Sequence, residues 1–181
     1  MRQRLCLTLL FLSLGVHAAP AEDDMARFIA DKGLLAHLEQ VRFTVAERTS
    51  ELVMTAMGFL GVPYRRGGND ANTGFDCSGF VRSMYERTVG LMLPRLARDQ
   101  AAATQPIDQR ELQPGDLVFF NTMKHAFSHV GIYIGEGKFI HSPRPGATVR
   151  VEDMQQSYWA RRFDGARRVV TFQAQAADAQ Q

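Results

Sequence analysis

Cysteine is nearly absent from this chain: 181 residues contain only Cys6 and Cys77. Long apolar runs are missing too. The longest, Leu5 to Val16, has about twelve residues, where a membrane-spanning helix needs about 20. Charge of one sign is not in excess, since 21 Lys and Arg stand against 19 Asp and Glu. That balance gives no footprint for nucleic acid. Histidines, cysteines and carboxylates are not clustered at metal-ligand spacings, so neither a metal nor another cofactor is expected. Internal repeats are absent, which excludes solenoids and propellers.

The apolar run explains part of this scarcity. Arg2 and Arg4 precede it, and Val16-His-Ala18 or Ala19-Pro-Ala21 follows with small residues. This is the pattern of a cleaved export signal over residues 1–21. Cys6 stands at the start of the apolar run, so it is not placed as the lipid-bearing cysteine of a lipoprotein. Cleavage near Ala18 or Ala21 removes it together with Arg2 and Arg4, leaving 19 basic and 19 acidic residues. The processed chain then carries a single cysteine in an oxidising compartment. No internal disulfide can form, and an exported lone thiol is expected to be buried or catalytic. Periplasm is the expected location, with no stable membrane anchor and a monomeric state.

What is present divides into helices first and strands later. Residues 22–44 read as a helical or flexible lead-in, with Phe28, Ile29, Leu35 and Leu38 near one stripe and Gly33 interrupting it. These residues are too few for a second module. Thr44 and Glu47 have capping-box spacing, and Leu52, Val53, Ala56, Met57 and Leu60 recur with helical period until Gly61 and Pro63. The loop Gly61 to Asp76 is dense in glycine and asparagine. A helix then starts at Cys77, with Phe80, Val81, Met84 and Tyr85 on one face, and ends near Gly90. A short helix is expected from Leu96 to Thr104. After Pro106 the texture is that of strands: Leu117 to Phe120, His129 to Ile134, Lys138 to Ser142, Thr148 to Val151 and Phe163 to Phe172, with one helical turn within 155–160. The expected class is α+β, helices on a mainly antiparallel sheet. The domain spans 45–172, and the Ala/Gln-rich tail 173–181 reads as disordered.

Cys77 stands at a helix N-terminus, where the helix dipole and unpaired N–H groups favour a thiolate. A base must come from the strand half. In His129-Val-Gly-Ile-Tyr-Ile134, residues 129, 131 and 133 share a face. If Gly135-Glu-Gly137 is a three-residue hairpin loop, paired positions sum to 272. His141 then lies opposite Gly131, diagonal to His129 on the same face. A two-residue loop makes the sum 273 and sends the histidines to opposite faces. Under the first register Cys77, His129 and His141 supply nucleophile, base and orienting group for acyl transfer, with N–H groups at the helix start for the oxyanion. His37 reads as a surface or packing residue and His125 as a loop residue.

The chain resembles the NlpC/P60 family of cell-wall cysteine peptidases. The resemblance rests on Gly61-Val-Pro-Tyr64, Gly67-Gly68, Phe75-Asp-Cys-Ser-Gly-Phe-Val81, Leu93-Pro-Arg95, Leu112-Gln-Pro-Gly-Asp-Leu-Val-Phe-Phe120, His129-Val-Gly-Ile-Tyr-Ile-Gly135, Lys138-Phe-Ile-His-Ser142 and Arg162-Phe-Asp-Gly-Ala-Arg-Arg168, in family order. It implies a papain-like α+β domain, with Cys77 as nucleophile, His129 as base and His141 as the third polar residue. It also implies hydrolysis of an amide bond next to diaminopimelate in peptidoglycan stem peptides or crosslinks, as in compact murein endopeptidases of Gram-negative bacteria. Tyr64, Asp76 and Ser78 resemble residues that contact substrate, Asp76 and Ser78 by receiving a free amine. Asp76 read on its own is equally a helix N-cap, and Tyr64 a packing residue beside Pro63. A related amidase or acyltransferase, an inactive binding module, and a metal site on Cys77, His129, His141 and Asp76 are the competing readings.

Overall fold

In the computed structural model, residues 33–170 are described. The chain divides at Leu38/Glu39, and the sheet and every element after the first helix belong to the second unit. The expected signal at 1–21, the start of the lead-in and the tail at 173–181 lie outside the described residues.

Helix α1 (Leu34–Met57) is continuous across Thr44, so the expected cap at that residue is not used and the helix starts earlier. Its C-terminal half carries the periodic stripe, and Leu52 and Ala56 are fully buried. It unwinds before Gly61, where the chain turns, and Leu60 at the stripe's end is exposed. The glycine-rich loop is more structured than its composition suggests. It holds two short strands, β1 (Asn69–Asp70) and β2 (Gly74–Phe75), paired antiparallel.

Helix α2 (Cys77–Val89) is defined at both ends by its sequence. Asp76 is the N-cap, its Oδ1 accepting from the Gly79 N–H at 2.8 Å. Gly90 closes the helix in the left-handed conformation, φ 68°, which glycine adopts without strain. Phe80, Val81, Met84 and Tyr85 are fully buried, as their spacing requires. Phe80, Val81 and Met84 each contribute about 1.5–3 kcal/mol by leaving water. Gly79 lets the helix lie directly on the preceding loop, since a Cβ there would overlap the Gly68 carbonyl oxygen. Helix α3 (Ala97–Ala102) follows the Leu93-Pro94-Arg95 break.

The strand half forms one antiparallel sheet of six strands: β3 (Gln105–Ile107), β4 (Leu117–Phe120), β5 (His129–Gly135), β6 (Lys138–His141), β7 (Arg150–Asp153) and β8 (Phe163–Arg168). Their spatial order is β3-β8-β4-β5-β6-β7. The helical turn expected within 155–160 is α4 (Ser157–Ala160). One strand is displaced from its expected place: instead of Thr148 to Val151, β7 begins at Arg150 and reaches Asp153, while Thr148 bridges to Pro63.

Strand β4 is buried on both faces, which explains its unbroken apolar run. Leu117 and Phe119 join the main core with Phe80, Val130, Ile132 and Ile140. Val118 and Phe120 join a second core with Phe139, Met154 and Trp159. By alternation His129 and His141 fall on the second face.

The hairpin that decides their register combines features of both expected loops. Ile132 pairs with Ile140 and Tyr133 with Phe139, the predicted sum of 272. At the tip, however, Gly135 pairs with Lys138, leaving a two-residue turn of Glu136 and Gly137, at φ 53° and 72°. The register shift between Tyr133 and Gly135 absorbs the extra residue as a bulge at Ile134. The bulge keeps both histidines on one face despite the shorter turn.

Candidate active site

Cys77 lies half-buried at the first residue of α2. Helix α2 packs against the start of β5, so the Val130 N–H reaches the thiol, as do the Ser78 N–H and hydroxyl. Burial pushes the Tyr64 phenol pKa up, with neighbouring Cys77 and Asp76 adding to it. His129 and His141 meet on β5 and β6: His129 Nε2 is 2.6 Å from His141 Nδ1, and the rings cross at 86°. Gly131 makes that approach feasible, because a Cβ would meet the Phe139 ring at 2.6 Å and His141 Cβ at 3.2 Å.

Trp159 of α4 closes the site from the second core. Its ring stacks on His129 with centroids 5.6 Å apart at 26° and meets His141 edge-on. Its indole N–H donates to Glu152 Oε2, and Arg150 pairs with Glu152 Oε1. Glu152 Oε2 is also the acidic oxygen facing His141 Nε2, at 3.6 Å.

Two cavities, about 550 and 730 Å³, meet at Cys77. Tyr64, Cys77, Met123, Ser128 and Pro145 line both, so Cys77 sits on the floor of one groove open in two directions. One arm runs past His129 to Arg144, Arg150 and Tyr158. The other runs past Asp76, Ser78 and Arg95 to His125, which is exposed on the 121–128 loop. That loop is pinned by Ser128, whose hydroxyl accepts from the N–H groups of Thr122 and Met123 at 2.9 and 3.1 Å.

The electrostatics differ from the sequence expectation. Burial pushes the Cys77 thiol up to about 11; the Asp76 charge adds to this, and hydrogen bonds from Val130 and Ser78 only partly oppose it. Burial also holds His129 well below its usual value, with His141 adding to the effect. His141 is lowered by burial and partly restored by Glu152. The helix terminus is thus outweighed by desolvation, and the resting pair is thiol and neutral imidazole.

The family model for NlpC/P60 matches residues 61–168. The chain belongs to the NlpC/P60 family. It is 41% identical over 145 residues to murein DD-endopeptidase MepH of Escherichia coli K12, covering 78% of this chain and 53% of that one. It is 39% identical over 118 residues to the γ-DL-glutamyl hydrolase of Bacillus subtilis 168, covering 65% of this chain and 28% of that one. The chain therefore spans about half, or less, of the length of these curated relatives. An NlpC/P60 family protein from Bacillus cereus ATCC 10987 superposes with a TM-score of 0.62 at 37% identity, covering 66% of this chain and 39% of that chain. Helices on a mainly antiparallel sheet are the NlpC/P60 fold, and this chain has it.

All six residues singled out in the sequence line this groove or the histidine pair beneath it. Asp76 is more constrained than a bare contact residue. Its Oδ1 accepts from Gly79 N–H and Arg95, and its Oδ2 from Gly67 N–H at 3.0 Å and Arg95 at 2.6 Å. Arg95 also reaches the Ser78 hydroxyl at 3.1 Å. Sequence reasoning assigned no role to Arg95, Trp159 or Glu152. The alternation Arg150-Val-Glu152 beside the His141 strand was the available signal, hidden by placing that strand's end at Val151.

Proposed function

We propose that the protein is an exported peptidoglycan endopeptidase that hydrolyses an amide bond next to diaminopimelate through Cys77, His129 and His141. The observation that carries this reading is the 2.6 Å contact between His129 and His141 beside Cys77 on the floor of an open groove. His129 engages His141 through Nε2, which leaves Nδ1 as the atom that can take the thiol proton. As Cys77 Sγ attacks the amide carbonyl carbon, His129 Nδ1 accepts its proton. The carbonyl oxygen becomes an oxyanion facing the Cys77 N–H at the start of α2, since the Gly79 N–H is already given to the Asp76 cap. Collapse breaks the C–N bond, and the amine departs with the proton from His129, leaving a thioester. Water then attacks the thioester, gives a proton to His129, and the thiol recovers it as the acid is released.

The groove extends on both sides of Cys77, which suits a substrate continuing in both directions, as a crosslinked stem peptide does. Tyr64, Asp76 and Ser78 contact one arm of that substrate. The Gly79 and Gly67 N–H groups and two bonds from Arg95 already fill the roughly four lone-pair sites of the Asp76 carboxylate, so a substrate amine there takes the place of an Arg95 bond. The relatives support peptidoglycan as the material acted on, one being named a DD-endopeptidase and another a γ-DL-glutamyl hydrolase. Export to the periplasm rests on the pattern of residues 1–21. Among the described residues no helix is long and apolar enough to cross a membrane.

Digestion of purified peptidoglycan followed by mass spectrometry tests the reading. Crosslinked fragments are expected to fall to monomers with a new free amine, and Cys77→Ala is expected to stop the reaction with its circular dichroism unchanged. Intact crosslinks after wild-type digestion, or turnover by Cys77→Ala, would sink it. Transfer of the acyl group to an added amine in place of water would make it an acyltransferase.

A further inference from the structure

We propose that Glu152 is a positioning residue that fixes the tautomers of both histidines, so that His129 presents an unprotonated Nδ1 to Cys77. The inference rests on the hydrolytic reading of the site and extends it by one residue. His129 Nε2 and His141 Nδ1 are 2.6 Å apart, so one of them carries a proton and the other accepts it. Two arrangements satisfy this contact. In one, His129 is protonated at Nε2 and His141 at its own Nε2, and His129 Nδ1 is free to act as a base. In the other, His141 carries its proton at Nδ1 and His129 at Nδ1, and the base is blocked by its own proton. Nothing in the histidine pair itself chooses between them.

The choice falls to whatever faces His141 Nε2. That nitrogen is fully buried and, among the described residues, has no hydrogen-bond partner within normal distance. Its acidic neighbour is Glu152 Oε2 at 3.6 Å. A carboxylate accepts and cannot donate, so it stabilises an N–H at that position and repels a lone pair. Closing the gap by about 0.7–0.9 Å converts the approach into a charge-assisted hydrogen bond of ordinary length.

Glu152 is held for this task. Trp159 Nε1 donates to the same oxygen, Oε2, and Arg150 pairs with Oε1. His141, Arg150 and Trp159 together keep the Glu152 carboxyl below its usual range despite the opposing effect of burial. The same indole stacks on His129, so the residue that holds the carboxylate also holds the ring whose tautomer it governs. Glu152 reaches the site because β7 pairs with β6, Arg150 opposite His141 and Glu152 opposite Phe139.

The test combines nitrogen NMR of the imidazoles, which distinguishes the two neutral tautomers, with peptidoglycan hydrolysis. At pH 7.5 the 15N-labelled wild type is expected to show His129 and His141 both protonated at Nε2. In Glu152→Gln, His141 is expected to move toward the Nδ1 tautomer, with kcat falling at least tenfold and KM changing less than threefold. Glu152→Asp, which keeps the charge, is expected to recover part of that loss. Wild-type His141 protonated at Nδ1 would overturn the proposal whether or not any variant folds. So would Glu152→Gln with wild-type tautomers and rate. Wild-type protein with both Nε2 tautomers but no hydrolysis would overturn the functional reading while leaving the role of Glu152 in the tautomers standing.

Discussion

At Cys77 two physical effects compete. A helix N-terminus stabilises nearby negative charge by about 0.3–1 kcal/mol at an exposed site. Desolvation of a thiolate is larger, and the carboxylate of Asp76 lies on the same side. The outcome is a thiol pushed up to about 11. Its thiolate fraction at pH 7 is then on the order of 10⁻⁴, and the proton must be removed during attack rather than beforehand. The neutral state of His129, held by burial well below its usual value, suits that role. Alkylation of Cys77 by iodoacetamide is therefore expected to be slow at pH 7 and to rise about tenfold per pH unit to pH 9 and beyond. The pseudo-first-order rate against pH measures this. A plateau reached by pH 7 would instead indicate a resting thiolate–imidazolium pair. Asp76 was legible as a helix cap from its place before Cys77, and the same short carboxylate also lines the groove. Arg95 was not, because its target lies 19 positions away and no local pattern reports such a pair.

The β5–β6 hairpin shows what an element adds to its residues. Alternation in His129 to Ile134 placed the histidine face, and that part of the site was readable from sequence. The turn was less so. Three residues, Gly135 to Gly137, all have positive φ, and a hairpin can divide them between turn and bulge in more than one way. Local preference decides neither division; packing of Ile132, Ile140 and Phe139 into their two cores does. Likewise the spacing of Thr44 and Glu47 suggested a helix start, yet α1 continues through it, because a capping box is only a weak preference inside an otherwise helical segment. Gly131 is where the hairpin geometry is tightest. Gly131→Ala puts a methyl 2.6 Å from the Phe139 ring and 3.0 Å from the Ile140 carbonyl oxygen, so strand β6 must shift. The expected cost is about 1–3 kcal/mol of stability. Because His141 lies on the displaced strand, kcat/KM is expected to fall at least tenfold. Urea unfolding and a fragment-release assay measure the two effects, and wild-type values in both would show that the close approach is not needed.

The molecule as a whole carries two neutral histidines inside a core held by aromatic packing, and this links the site to global stability. His129 and His141 are both buried and both titrate below their usual value, mainly because burial disfavours the charged ring. In the unfolded chain each titrates near 6.5. Between that value and the folded values, the unfolded state binds protons that the folded state refuses. Stability therefore rises with pH across this window and is lost as pH falls below about 6.5. The limiting slope is about 1.4 kcal/mol per pH unit for each histidine. Urea unfolding at pH 7.5 and 5.5 is expected to show a loss of about 1–3 kcal/mol at the lower pH, and the doubly substituted His129→Gln, His141→Gln protein is expected to lose much of that slope. Equal pH dependence in the two proteins would mean that the titrating groups lie elsewhere, and that the neutral histidine pair is not what couples the groove to the fold.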